Sequence, residues 1–126
     1  MRFFSNITQE ELRKTYCEAE IAIIPSLYEG FGFAAIEAMA CGVPLISSSG
    51  GALPEVIKDT GIIIPPKNVK EIYNSVDYLL SSSHSAKELA EKGLQRANSK
   101  FSWKAIAKQL EKVYHKEIET HKHANN

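Results

Sequence analysis

Three short runs constrain this chain most: Ile21-Ala22-Ile23-Ile24, Val43-Pro44-Leu45-Ile46 and Ile62-Ile63-Ile64. Each is apolar without alternation. A strand with one wet face alternates, so an unbroken run means a strand covered on both faces, as in a parallel sheet. Pro25-Ser26 stops the first run and Pro65-Pro66 the third. Pro44 belongs at the start of the second, where it costs no ladder bond. The segments between them are helical in period. Strand–helix alternation of this kind predicts an α/β fold: a Rossmann-like three-layer domain on a short parallel sheet, joined by right-handed crossovers. Three or four strands are few for a doubly wound domain, which normally begins with further βα units. The expected architecture is therefore partial, cut back on the N-terminal side. Phe3-Phe4 reads as the end of one more strand.

The helices follow from their signals. Thr8 and Glu11 form a capping box and open a helix over about 9–19, with Leu12, Tyr16 and Ala19 inward. Residues 34–40 are strongly helical, and Gly42 ends them. Pro54 suits the first turn of a short helix over 53–57. Residues 69–80, 85–99 and 102–119 read as three more helices. The last opens on a Ser102 cap and carries Trp103, Ile106, Ala107, Leu110, Val113 and Tyr114 on one stripe. Ser47-Ser48-Ser49-Gly50-Gly51 reads as a flexible turn. A single domain over 1–120 and a disordered polar tail over 121–126 are expected, which suits a length of 126 residues.

Charge excludes some functions. Fifteen basic residues balance fifteen acidic ones. No global field draws in nucleic acid or an anionic membrane, so phosphate recognition has to come from local geometry. No apolar run approaches membrane-spanning length, and the first residues are too polar for a signal peptide. A cytoplasmic protein is expected. Cys17 and Cys41 lack metal-ligand spacing and read as small apolar residues in a reducing compartment, with a bridge between them left open. Asp59 and Asp77 are the only aspartates. Neither ends an apolar strand as a phospho-receiver would require.

The chemically informative stretch runs from Pro25 to Glu37. It leaves the carboxyl end of a parallel strand and enters a helix, the edge at which open α/β sheets bind ligands. Gly30 and Gly32 let the backbone approach a ligand closely. The amides from Phe31 to Ala35 then face an anion at the helix N-terminus, and a diphosphate fits. Glu29 and Glu37 flank the same place, and ionised carboxylates accept hydrogen bonds from sugar hydroxyl pairs. A sugar, a diphosphate and a second sugar make a nucleotide sugar. The same residues also fit a plain loop. Glu37 would then be a first-turn acid favoured by the helix dipole, Phe31 and Phe33 core residues, and Gly50-Gly51 loop punctuation.

Glu29-Gly30-Phe31-Gly32-Phe33-Ala34-Ala35-Ile36-Glu37, two glutamates separated by seven residues, resembles the signature of family 4 retaining glycosyltransferases of the GT-B fold. The flanks are similar as well: Tyr16-Cys17-Glu18-Ala19-Glu20 before the strand, Glu37-Ala38-Met39-Ala40-Cys41-Gly42-Val43-Pro44 after it, then Gly50-Gly51-Ala52-Leu53-Pro54-Glu55-Val56, Gly61 to Pro66, and Phe101-Ser102-Trp103. The resemblance spans nearly the whole chain in order. It implies the C-terminal, donor-binding half of such an enzyme. Glu29 would contact the donor sugar near the reacting carbon. Gly30 and the amides of Phe31, Gly32, Phe33 and Ala34 would hold sugar hydroxyls and the distal phosphate. Glu37 would hold the ribose. It further implies a nucleotide-sugar donor, no essential metal or other cofactor, and transfer with retention. The family's basic diphosphate clamp and its acceptor-binding N-terminal domain lie upstream of this segment. They would have to be supplied in cis or in trans. Without that partner the final helix would bare an apolar stripe able to drive self-association. Under the alternative, the chain is a nucleotide-sugar-binding or interaction module, or one subunit of a split enzyme.

Overall fold

The structure is a computed structural model that describes residue 1 and residues 3–124. Three parallel strands form one sheet in the order β1-β2-β3: β1 Ala22–Ile24, β2 Leu45–Ser48 and β3 Ile62–Ile64. Ala22 pairs with Leu45, and Ile46 pairs with Ile62. Helix α1 (Gln9–Glu18) precedes β1, α2 (Phe33–Ala40) links β1 to β2, and α3 (Leu53–Ile57) links β2 to β3. After β3 come α4 (Val69–Ser81), α5 (Ser83–Arg96), a π-helical turn at Ala97–Phe101, and α6 (Trp103–Ala124).

The reason inferred for the unalternating strands holds for β2 and β3, but not for β1, where Ala22 and Ile24 are buried and Ile23 between them is 42% exposed. Ala22, Ile24 and Leu45 face a core built with Ala35, Ala38, Met39, Leu53, Val56 and Ile57 of α2 and α3. The opposite side chains, Ile46 and Ile64, meet Leu79 of α4, with Ile72 and Val76 beside it. Helices thus cover both faces of the sheet, giving three layers. Met39 and Leu45 are fully buried, and truncating Leu45 to alanine would cost roughly 2–5 kcal/mol.

The ends of the elements are chemically marked. The Glu11 amide donates to Thr8 Oγ1 at 3.2 Å and the Thr8 amide to Glu11 Oε2 at 2.7 Å, a complete capping box. Gly42 lies just beyond α2 at φ 67°, the left-handed conformation that ends a helix without Cβ strain. Asn68 Oδ1 caps α4 and Ser102 Oγ accepts from the Ala105 amide at the start of α6. Arg96 donates to the carbonyls of Val56 at 2.6 Å and Glu55 at 2.9 Å. That ties the last turn of α3 to α5.

Several elements depart from expectation. Phe3 and Phe4 belong to no strand and are exposed, with no neighbouring strand to pair. The second strand begins at Leu45 and runs on through Ser47 and Ser48, both buried. Serine has low strand propensity, but here β1 and β3 flank it on both sides and fix the backbone. The π-helical turn replaces the end of the predicted 85–99 helix, and Arg96 stacks over Phe101 there, 5.5 Å from the ring centroid. Helix α6 reaches Ala124 and so enters the predicted tail, where Asn125 and Asn126 lie outside the described residues. Trp103, Leu110, Val113 and Tyr114 leave the α6 stripe exposed.

Candidate functional site

The loop of residues 25–32 leaves the carboxyl end of β1 and is held from beneath by the strand beside it. Ser48 Oγ donates a short hydrogen bond to the Ser26 carbonyl, and Ser47 Oγ reaches the Ile24 carbonyl at 3.4 Å. Gly50 packs against the main chain of Ser26 and Leu27, where a Cβ would stand 2.6 Å from the Leu27 oxygen. Gly51, at φ 63°, packs against the Glu29 backbone, and the Ala52 amide donates to the Glu29 carbonyl at 2.8 Å. The residues read as a flexible turn therefore form a strap. Two adjacent glycines were its signal, because only a position without Cβ permits main chain to touch main chain.

Gly32 is the N-cap of α2 in the left-handed conformation, φ 75°. A Cβ there would sit 3.3 Å from Val56 Cγ2 of α3. No side chain caps this helix. The first-turn amides, including those of Phe33 and Ala34, have no intrahelical acceptor by the geometry of any helix start. Glu29 turns back on its own loop, where its Oε1 accepts from the Gly32 amide at 3.4 Å. That is longer than the usual range of about 2.7–3.2 Å, hence weak and exchangeable. Gly30 differs from its neighbours: an added Cβ would meet nothing within 4 Å, and its backbone is not left-handed. Nothing in the fold itself requires a glycine there.

Glu37 stands elsewhere than expected. Because α2 begins at Phe33, Glu37 is its fifth residue and the first turn holds no acid. The first-turn dipole reading of Glu37 therefore does not apply. Its side chain lines a groove of about 470 Å³ between α1 and α2, walled also by Gln9, Arg13, Tyr16, Cys17 and Cys41. None of residues 29–34 lines that groove. Glu29 thus lies ahead of the α2 N-terminus and Glu37 a turn further along, toward α1, so the two acids do not share this one cavity. Burial pushes the Tyr16 phenol above its ordinary pKa, and the charges of Glu37 and Cys41 add to the shift.

Phe31 and Phe33 are not core. They stack on each other, with centroids 5.5 Å apart and ring planes at 21°, and both are exposed. Leu27 and Tyr28 are exposed beside them in sequence, so the loop presents an apolar lip above the uncapped helix. Among the described residues no group of three or more His, Cys, Asp or Glu is placed to hold a metal ion, and no helix is long and apolar enough to cross a membrane.

A parallel sheet with a glycine-bound loop feeding an uncapped helix at its carboxyl edge is an open α/β domain, and that edge is where such sheets bind ligands. The particular family is shown by comparison: the model of "Glycosyl transferases group 1" matches residues 1–96, and the chain belongs to that family. It is 42% identical over 117 residues to MMP alpha-(1->4)-mannosyltransferase of Mycolicibacterium hassiacum, covering 90% of this chain and 28% of that protein. It superposes on sucrose-phosphate synthase from Thermosynechococcus elongatus with a TM-score of 0.81 at 35% identity, covering 94% of this chain and 30% of the other. The C-terminal domain of a glycosyl transferase group 1 protein from Francisella tularensis matches at a TM-score of 0.72 and 30% identity, over 82% of this chain and 53% of that one. The fold is thus part of a GT-B glycosyltransferase, as expected. The chain spans under a third of the length of the curated relatives named first.

Proposed function

We propose that this chain is the donor-binding segment of a glycosyltransferase. It takes a nucleotide-diphosphate sugar from which the sugar is passed to an acceptor, with retention of configuration as in family 4. The observation that carries the reading is the α2 N-terminus. It has no side-chain cap, and it is fed by a loop held through Gly50 and Gly51. Its amides suit the distal phosphate, whose charge grows as the sugar departs, so they would stabilise the transition state more than the ground state. Glu29 is weakly held by the Gly32 amide. A phosphate taking that amide would free its carboxylate for the donor sugar. Glu37 lies one helical turn from Phe33, about 6 Å along the axis, and would take the ribose hydroxyls from the α1–α2 groove. Gly30 leaves room for the ligand, and the stacked Phe31 and Phe33 border it.

The chemistry on this side is positioning and charge stabilisation. The departing diphosphate would assist deprotonation of the acceptor, and the acceptor site and basic clamp would come from a further domain. No essential metal is proposed. The names of the relatives, among them a mannosyltransferase and a glycogen synthase, favour a hexose donor.

Titration of the chain with UDP- and GDP-sugars, followed by calorimetry and by NMR of the amides of residues 31–35, tests the reading. Saturable shifts confined to those amides and to the groove around Glu37 would support it. A folded chain whose amide shifts lie on another face would overturn it.

A further inference from the structure

Two thiols meet at the α1–α2 groove. Cys17 lies on the last turn of α1 and is exposed, while Cys41 is the C-cap of α2 and half-buried. Cys41 Sγ sits 3.9 Å from the carbonyl oxygen of Arg13. Cys17 is four residues beyond Arg13, on the same helical face. Both thiols line the groove that holds Glu37, close enough for Cys17 to act on the titration of Cys41. Neither is bridged. Cys41 follows Glu37 by four residues, so this thiol and the acid share one face of α2. Gly42 ends the helix directly after it, and a C-cap side chain can turn toward a partner without breaking the helix ladder.

We propose that Cys17 and Cys41 are a thiol–disulfide site that takes a small-molecule disulfide as oxidant and, when oxidised, staples α1 to α2 beside Glu37. Cys17, the exposed thiol, attacks first. Its sulfur bonds to one sulfur of the oxidant, the oxidant's S–S bond breaks, and the leaving thiolate takes the Cys17 proton. Cys41 then attacks the Cys17 sulfur of the mixed disulfide and expels the second small thiol, which takes the Cys41 proton. One external disulfide is reduced to two thiols as the protein dithiol becomes one disulfide. Burial, and next the neighbouring Cys17 thiol, hold the Cys41 thiol above its ordinary pKa, against the opposing charge of Arg13. This fits the resolving role, because the protonated thiol is the poorer first attacker. Shortening the α1–α2 contact would draw Arg13 and Tyr16 over Glu37. On the donor reading above, that lowers nucleotide-sugar affinity.

The test uses the full chain, equilibrated in graded mixtures of oxidised and reduced glutathione, quenched with a thiol alkylator and weighed intact. The expected product is a monomer with no alkylated thiol, no glutathione, and a mass lower by two hydrogens. Cys17→Ser and Cys41→Ser should each stop at a single glutathione adduct. Wild type carrying glutathione on both cysteines, or bridged only between chains, would overturn the proposal. In the second arm, oxidised and reduced chains are titrated with UDP-glucose and GDP-mannose. Binding should weaken on oxidation by about tenfold, the value of one charge-assisted contact, and Cys17→Ser should lose the redox response. Unchanged affinity in a chain proven bridged would refute the coupling to Glu37. If neither form binds, the donor reading fails, while the mass result still decides the thiol site.

Discussion

Replacing Gly51 by alanine should loosen the candidate site through the main chain alone. Gly51 sits at φ 63°, and its missing Cβ would overlap the Glu29 carbonyl oxygen and stand 2.8 Å from the Glu29 nitrogen. These neighbours are backbone and cannot swing aside as a side-chain tip could. Holding alanine in the left-handed region costs about 1–3 kcal/mol. Parting the two loops also breaks the hydrogen bond from the Ala52 amide to the Glu29 carbonyl, worth roughly 0.5–1.5 kcal/mol net. Together the loss should be roughly 2–4 kcal/mol, a large share of the total stability of a domain this size. Urea unfolding followed by circular dichroism reads it directly, as a fall in midpoint at unchanged slope. A variant within about 0.5 kcal/mol of wild type would refute the claim that the paired glycines are a strap pressed against Glu29. It would return them to the status of a mobile turn.

Gly30→Ala provides the contrast: with no neighbour within 4 Å and no left-handed backbone, stability should move by less than about 0.5 kcal/mol, while calorimetric affinity for the nucleotide sugar falls. Equal affinity would mean that no ligand approaches Gly30. Glu37→Ala should weaken nucleotide-sugar binding by about 1.5–3 kcal/mol, the usual worth of a hydrogen bond to a charged group. An unchanged dissociation constant would remove Glu37 from the ribose role. Glu29→Gln, made in the complete enzyme, should depress kcat more than donor affinity, and steady-state kinetics showing only a raised KM would make it a binding residue instead.

Much of the fold was legible because its signals are local or strictly periodic. Thr8 and Glu11 announce α1 by a box that closes within four residues, and the isoleucine runs declare parallel strands, although Ile23 of β1 stays exposed. What escaped depended on contacts across the chain. Ser47 and Ser48 look like loop residues until β1 and β3 are known to flank them and supply their neighbours. Glu37 was expected one residue nearer the helix start, within the first turn, because the start of α2 is set by the left-handed Gly32 with Val56 packed against it, neither of which the local sequence displays. The plain-loop alternative made Phe31 and Phe33 core residues, yet their loop stands outside both hydrophobic clusters. The glycine motif and both acids are plain in the sequence, but the separation of the acids around the start of α2 is not.

Function and framework meet in β2. A central strand of a small sheet would gain most from apolar side chains on both faces, and Ile46 supplies one. Ser47 and Ser48 forgo that burial. The Ser48 hydroxyl donates to the Ser26 carbonyl just past the end of β1, while the Ser47 hydroxyl lies 3.2 Å from the Ser48 carbonyl and 3.4 Å from that of Ile24. An unpaired buried carbonyl costs roughly 1–3 kcal/mol, so the serines offset at the loop's root what they give up in hydrophobic contact. Isoleucine at position 48 would leave the Ser26 carbonyl at that root without its hydroxyl donor. The polar strand end, the glycine strap after it and the uncapped helix thus bring supported main chain to an open edge, as the proposed donor site requires.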